Sequence, residues 1–153
     1  MKAKSGFTLV EILIVVVILG ILAAIVIPQF TEAGEEARLA SLTSDLQTMR
    51  GQLELYEIQH NDFYPALATF EDQMCQTTDI NGNASGSKAR AGLFQLGPYL
   101  QVVPINPFTN SNTVVNWGTG AAAGTDGWEY NDGTGEIRAA PDTTADTLAH
   151  QAL

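Results

Sequence analysis

Sixteen unbroken apolar or small residues, Ile12 to Ile27, follow directly on a carboxylate, Glu11. Counted from Phe7 the segment holds 21 residues. As a helix rising about 1.5 Å per residue it spans roughly 32 Å, and the hydrocarbon core of a bilayer is about 30 Å thick. This length and composition predict a membrane-spanning helix. A charge placed inside such a helix costs about 2.5–3.5 kcal/mol on insertion scales, so a retained charge is a candidate functional group. Lys2 and Lys4 precede the run, whereas Glu32, Glu35 and Glu36 follow it. Basic residues mark the cytoplasmic side, which puts the N-terminus in the cytoplasm and the larger part of the chain outside.

A cleaved secretory signal is the competing reading of an apolar N-terminus. Its apolar region runs roughly 7–15 residues and ends in an A-x-A-like site. Here the run is longer, and Leu22 stands before Ala23 and Ala24 where a small residue belongs. A carboxylate at the head of the run fits that reading poorly as well.

The hexapeptide Gly6-Phe7-Thr8-Leu9-Val10-Glu11, with its short basic leader and following apolar helix, resembles the class III signal of type IV pilins and type II secretion pseudopilins. The likeness covers Met1 to Pro28. It implies cleavage between Gly6 and Phe7 by a prepilin peptidase and N-methylation of the new Phe7 terminus. It further implies that Glu11, fifth in the mature chain, pairs with the N-terminal amine of a neighbouring subunit. The physics agrees, because pairing offsets much of the cost of a charge held away from water. Gly20 and Pro28 match family positions that bracket a stretch of helix loosened when subunits pack. From the residues alone, Pro28 removes a backbone donor and Gly20 adds freedom, and Pro28 also reads as a simple membrane exit.

The rest of the chain predicts a long amphipathic helix carrying a small head. Leu39, Leu42, Leu46, Met49, Leu53 and Tyr56 recur at spacings of three and four, a single helical stripe. The opposite face carries Glu35, Arg38, Ser41, Asp45, Arg50, Gln52 and Glu54. A stripe of this kind also suits a coiled-coil seam, but three heptads are short for one. Phe7 to His60 as one helix is 54 residues, or about 80 Å. The Asn61-Asp62-Phe63-Tyr64-Pro65 stretch ends it, because a residue before proline avoids the helical region.

Residues 66–75 suit a short helix, 77–87 a loop rich in Asn, Gly, Ser and Thr, and 91–96 a short helix or strand. Tyr64-Pro65 resembles the loop after the long helix in major pseudopilins. The run from Tyr99 to Phe108 resembles the Tyr-Leu…Val-Pro…Asp-Pro segment that leads into their sheet, with Asn106 in place of the usual acid. Thr113 to Trp117 alternates as a strand, and Gly127–Tyr130 with Glu136–Arg138 flank a glycine-containing loop, which signals a hairpin. Pro141 to Leu153 reads as a frayed tail. The expected fold class is α+β, a pilin fold: a long N-terminal helix packed on a small antiparallel sheet. Its parts are a leader (1–6), a transmembrane and assembly helix (7–28), an amphipathic spine (29–60) and a β-rich head with a flexible tail (61–153).

Composition limits the partners. The formal charge of −10 becomes −12 once Lys2 and Lys4 leave with the leader, which makes nucleic acid a poor partner by electrostatics. Cys75 is the only cysteine in the sequence. The disulfide that many type IV pilins close near the C-terminus is therefore missing, which favours the pseudopilin branch.

Catalytic candidates are thin. His60 falls at the expected helix end, where a cation suits the helix dipole at the surface. His150 lies in the tail, Cys75 has no recognisable partner, and Trp117 and Trp128 read as core aromatics. No cofactor is required, and no enzyme activity is expected. Major pseudopilins commonly hold calcium between their last strands, and the resemblance directs attention to Asp126, Glu129 and Asp132. The family's terminal ligand pattern is not visible, so a solvated acidic hairpin is the stronger expectation.

The reading is a structural subunit of a pilus-like filament in a type II secretion system. Expected partners are prepilin peptidase, further copies of the chain, the cytoplasmic membrane and a secretion or pilus assembly platform. The alternatives are a type IV pilin serving adhesion, motility or DNA uptake, and a single-pass membrane-anchored binding or sensor domain that never polymerises.

Overall fold

A computed structural model describes residues 6–118, 122 and 124–141, the side chains of residues 31 and 32 excepted. The basic leader residues Lys2 and Lys4, part of the small-residue run after Gly118, and the tail from residue 142 onward lie outside the described residues. The chain divides into two compact units, Met1–Ala37 and Arg38–Leu153. One helix, α1 (Leu9–Gln59, 51 residues), contributes to both.

In the first unit, α1 starts two residues after Phe7 and runs without a break through Gly20 and Pro28. Its apolar side chains from Leu9 to Ile27 are all exposed. A helix of this length and hydropathy suffices to cross a membrane. With no second helix or strand among the described residues of its unit, so apolar a surface calls for lipid or other helices.

In the second unit the α1 stripe is buried. Leu42, Leu46, Met49, Leu53 and Tyr56 are at most 2% exposed, whereas Leu39 remains at 40%. A 3-10 turn (Leu67–Thr69) leads into α2 (Phe70–Cys75), which together fill the short helix expected at 66–75. Residues 91–96 form neither helix nor strand. They are turns with an isolated bridge between Ala91 and Phe94, while Leu96 bridges to Thr78.

Three short strands close the head: β1 (Val114–Asn116), β2 (Trp128–Tyr130) and β3 (Ile137–Ala139), in that order across the sheet. β2 and β3 form the expected hairpin, antiparallel with Glu129 opposite Arg138. β1 instead pairs parallel to β2, with Val114 opposite Trp128. The sheet is thus mixed rather than antiparallel throughout. Connection length explains both pairings. A tight turn can only return the chain antiparallel, whereas a parallel neighbour needs a crossover of about a dozen residues, which residues 117–127 supply.

The core joins the α1 stripe to Phe70 and Met74 of α2, to Tyr99 and Val103, and to Trp128, Tyr130 and Ile137 of the hairpin. Its polar handles are satisfied. Trp128 Nε1 donates to the Pro104 carbonyl at 2.8 Å, and Tyr130 Oη to the Pro65 carbonyl at 2.9 Å. The Phe70 and Tyr130 rings meet edge to face at 4.7 Å.

Candidate functional site

The residues expected to serve processing and assembly, Gly6, Phe7 and Glu11, lie at the start of α1. Gly6 and Phe7 precede the first helical residue, and the Phe7 side chain is 84% exposed. The bond between them therefore lies outside the hydrogen-bonded helix, in the chain form a peptidase can grip.

Thr8 is the residue before the helix and Glu11 falls on its first turn. The Glu11 amide donates to Thr8 Oγ1 at 3.2 Å. In return, Glu11 Oε2 accepts from the Thr8 amide at 2.8 Å and from Thr8 Oγ1 at 2.9 Å. This is a capping box, which satisfies two orphan backbone donors reciprocally. The helix dipole favours a negative charge at the same end. Glu11 is exposed to its surroundings, so one oxygen holds the helix terminus while the carboxylate stays accessible to a cation from outside. Thr8 joins Glu11 as the other half of this cap, and Thr-x-x-Glu before an apolar run is its sequence signature.

Gly20 and Pro28 both lie within α1. Space around Gly20 is open, so a methyl group added there would meet nothing within 4 Å. Pro28 lacks the amide that would bond one turn back.

The three carboxylates considered for calcium are not brought together. Glu129 is 3% exposed and paired with Arg138, whose guanidinium lies 4.0 Å from the Trp117 ring centroid. Asp126 accepts from the Ala122 amide at 2.7 Å and from Thr113 Oγ1 at 3.2 Å. Asp132 accepts from the Leu67 amide at 3.5 Å. Among the described residues no group of three or more His, Cys, Asp or Glu side chains is placed to hold a metal. Calcium seeks six to eight oxygens, and a carboxylate neutralised by a guanidinium is poorly suited to supply them. Glu129 is also not the solvated acid its sequence position suggests, because the register sets Arg138 directly across from it.

His60 departs from expectation too. It is 1% exposed rather than at the surface, stacked on Tyr56 at 3.7 Å between centroids. Nδ1 donates to the Tyr56 carbonyl at 2.8 Å, and Nε2 meets Thr78 Oγ1 at 3.0 Å. The ring thereby fastens the end of α1 to the 77–87 loop. Cys75 is buried, and burial pushes its thiol up from the ordinary value, which suits an inert core residue. Trp128 is fully buried and Trp117 partly so.

Comparison with known proteins reaches beyond the helix. The family profile described as the prokaryotic N-terminal methylation motif matches residues 1–27. The type II secretion system core protein G of Pseudomonas aeruginosa is 32% identical over 109 residues, 71% of each chain. That of Vibrio cholerae serotype O1 is 30% identical over 143 residues, 88% of this chain and 90% of its own. The chain belongs to the type II secretion system core protein G family. No solved structure matches the chain. The core protein G likeness to the Vibrio cholerae protein takes in most of the head as well as α1, so membership does not rest on the methylation motif alone.

Proposed function

We propose that the chain is a structural pseudopilin subunit of a type II secretion filament, built through its N-terminal helix. Prepilin peptidase cuts between Gly6 and Phe7, and the new Phe7 amine is methylated. The apolar half of α1 holds the subunit in the cytoplasmic membrane as a single pass, with the N-terminus cytoplasmic and the head outside. The assembly platform then passes the subunit into a polymer of further copies.

The observation that carries this reading is the capped carboxylate of Glu11 at the head of a membrane-length helix, five residues into the expected mature chain. In lipid, a single carboxylate that only caps its own helix remains a net charge, which costs free energy. Insertion beside a neighbour places the cationic Phe7 terminus of that subunit within reach and offsets the cost. Filament entry is therefore favoured over remaining alone in the bilayer. Gly20 and Pro28 give the same helix places to adjust as it packs.

The test is Glu11→Ala, followed by membrane extraction and filament incorporation of the variant. The reading predicts normal cleavage and membrane residence with incorporation lost. Wild-type incorporation by Glu11→Ala would exclude a pairing role for this carboxylate.

A further inference from the structure

Phe63 is 72% exposed and Ile80 is 53% exposed, and both line a groove of about 350 Å³ with Tyr56, His60 and Tyr64. The groove lies where α1 ends. There two consecutive residues, Asn61 and Asp62, take φ values of 57° and 65°, the left-handed region that Asn and Asp adopt more readily than other non-glycine residues. This turn leads from a buried His60 to an outward Phe63. The aromatic ring that this turn sets in water lines the same groove as a second exposed apolar residue. The border is acidic. Asp62 and Asp79 adjoin Phe63 and Ile80 in the chain, and Glu57 is hydrogen-bonded to the Tyr64 hydroxyl.

The same head carries a surface of opposite character. Residues 86–93 form an exposed loop, with Leu93 at 83% exposure and the cations Lys88 and Arg90 two positions apart. Lys88 donates to the Gln101 carbonyl, and Arg90 Nε to the Gly97 carbonyl at 3.1 Å. These bonds to main-chain oxygens fix the loop without neutralising it. In a chain of formal charge −10, a loop of two cations and an apolar tip stands out from its surroundings.

We propose that the groove receives the 88–93 loop of a second copy of this chain. Leu93 packs against Phe63 and Ile80, while Lys88 and Arg90 face Asp62 and Asp79. Charge complementarity selects this occupant and sets its orientation. The proposal rests on the filament reading and adds a named head-to-head contact to it. Groove and loop are different surfaces, so the interface is heterologous and repeats from copy to copy instead of closing a two-fold dimer.

The experiment co-expresses full-length Phe63→Cys and Leu93→Cys chains in cells carrying the secretion machinery, oxidises the assembled filaments and resolves linked species. Disulfide-linked dimers are expected only when both variants are present. The parent chain should stay unlinked, because Cys75 is buried. In parallel, Asp62→Lys and Arg90→Glu should each lower filament yield several-fold, and the two together should restore it. Filaments that form without the 63–93 link, with yield indifferent to Arg90→Glu, overturn this contact and leave the filament reading standing. A parent chain that forms no filament at all overturns both.

Discussion

Glu129 and Arg138 face each other across the β2–β3 hairpin, and the carboxylate is 3% exposed while its partner keeps an edge to solvent. The guanidinium also lies over the Trp117 ring, 4.0 Å from its centroid. Removing Arg138 takes the guanidinium away from a buried carboxylate, and breaking a buried ion pair by losing one partner typically costs about 3–5 kcal/mol. Arg138→Ala should therefore destabilise strongly in urea melts. Replacing both residues by apolar ones should recover most of the loss, since the charged pair itself contributes little net stability.

Asn106 predicts a second effect. Its amide Nδ2 donates to the Gly127 carbonyl at 2.9 Å and lies 3.4 Å from the Ala140 carbonyl, while Oδ1 accepts from the Phe108 amide at 2.9 Å. The residue is 1% exposed. An ionised aspartate keeps the acceptor and loses the donor, turning a negative charge toward carbonyl oxygens. Asn106→Asp should cost about 1–3 kcal/mol or more at neutral pH. The folded-state pKa of that aspartate is raised, because its protonated form can donate again. The deficit relative to the parent should thus be small below about pH 4, near the ordinary aspartate value, and grow as pH rises. Urea midpoints of both chains at acid and neutral pH measure it.

Gly135 has φ of 72°, and a methyl group there would come within 2.2 Å of the Tyr64 ring. Gly135→Ala should lose about 1–3 kcal/mol from the backbone conformation alone, with a steric loss on top. Tyr64→Ala in the same chain should return the steric part and not the backbone part. A double-mutant cycle separates the two.

Alkali should unfold the head in a definite window. Burial, with the neighbouring Tyr99 contributing, pushes the Tyr56 hydroxyl from 10.0 up to about 12. Burial pushes Tyr130 upward as well. A raised folded-state value means that this stabilisation is complete below pH 10 and is lost as pH climbs toward 12. Circular dichroism should fall together with the appearance of phenolate absorbance. Tyr56→Phe should remove part of that dependence.

Much of this was legible in the sequence because it depends on local pattern. The apolar run, the three-and-four stripe from Leu42 to Tyr56, the Tyr64-Pro65 stop and the Asn131–Gly135 turn all act over a few residues. The features that escaped depend on distant partners. His60 is buried because Thr78, eighteen positions on, meets its ring. Glu129 is buried because strand register supplies Arg138. Asn106 is buried because its amide donates to the Gly127 carbonyl and faces that of Ala140, 21 and 34 positions on. The parallel pairing of β1 follows from a long connection whose path the small residues after Trp117 do not specify. Thr8 is the exception: its cap is local and readable from Thr-x-x-Glu, but the charge of Glu11 in an apolar helix is the louder signal at the same place.

Cutting of the bond between Gly6 and Phe7 should make Phe7 the filament-building terminus. Intact-mass analysis of the protein from cells with and without prepilin peptidase tests it most directly. A chain beginning at Phe7 with one added methyl group is expected when the peptidase is present, and a chain beginning at Met1 when it is absent. A chain beginning at Met1 in both cells would contradict the account and leave a membrane-anchored domain that never enters a filament.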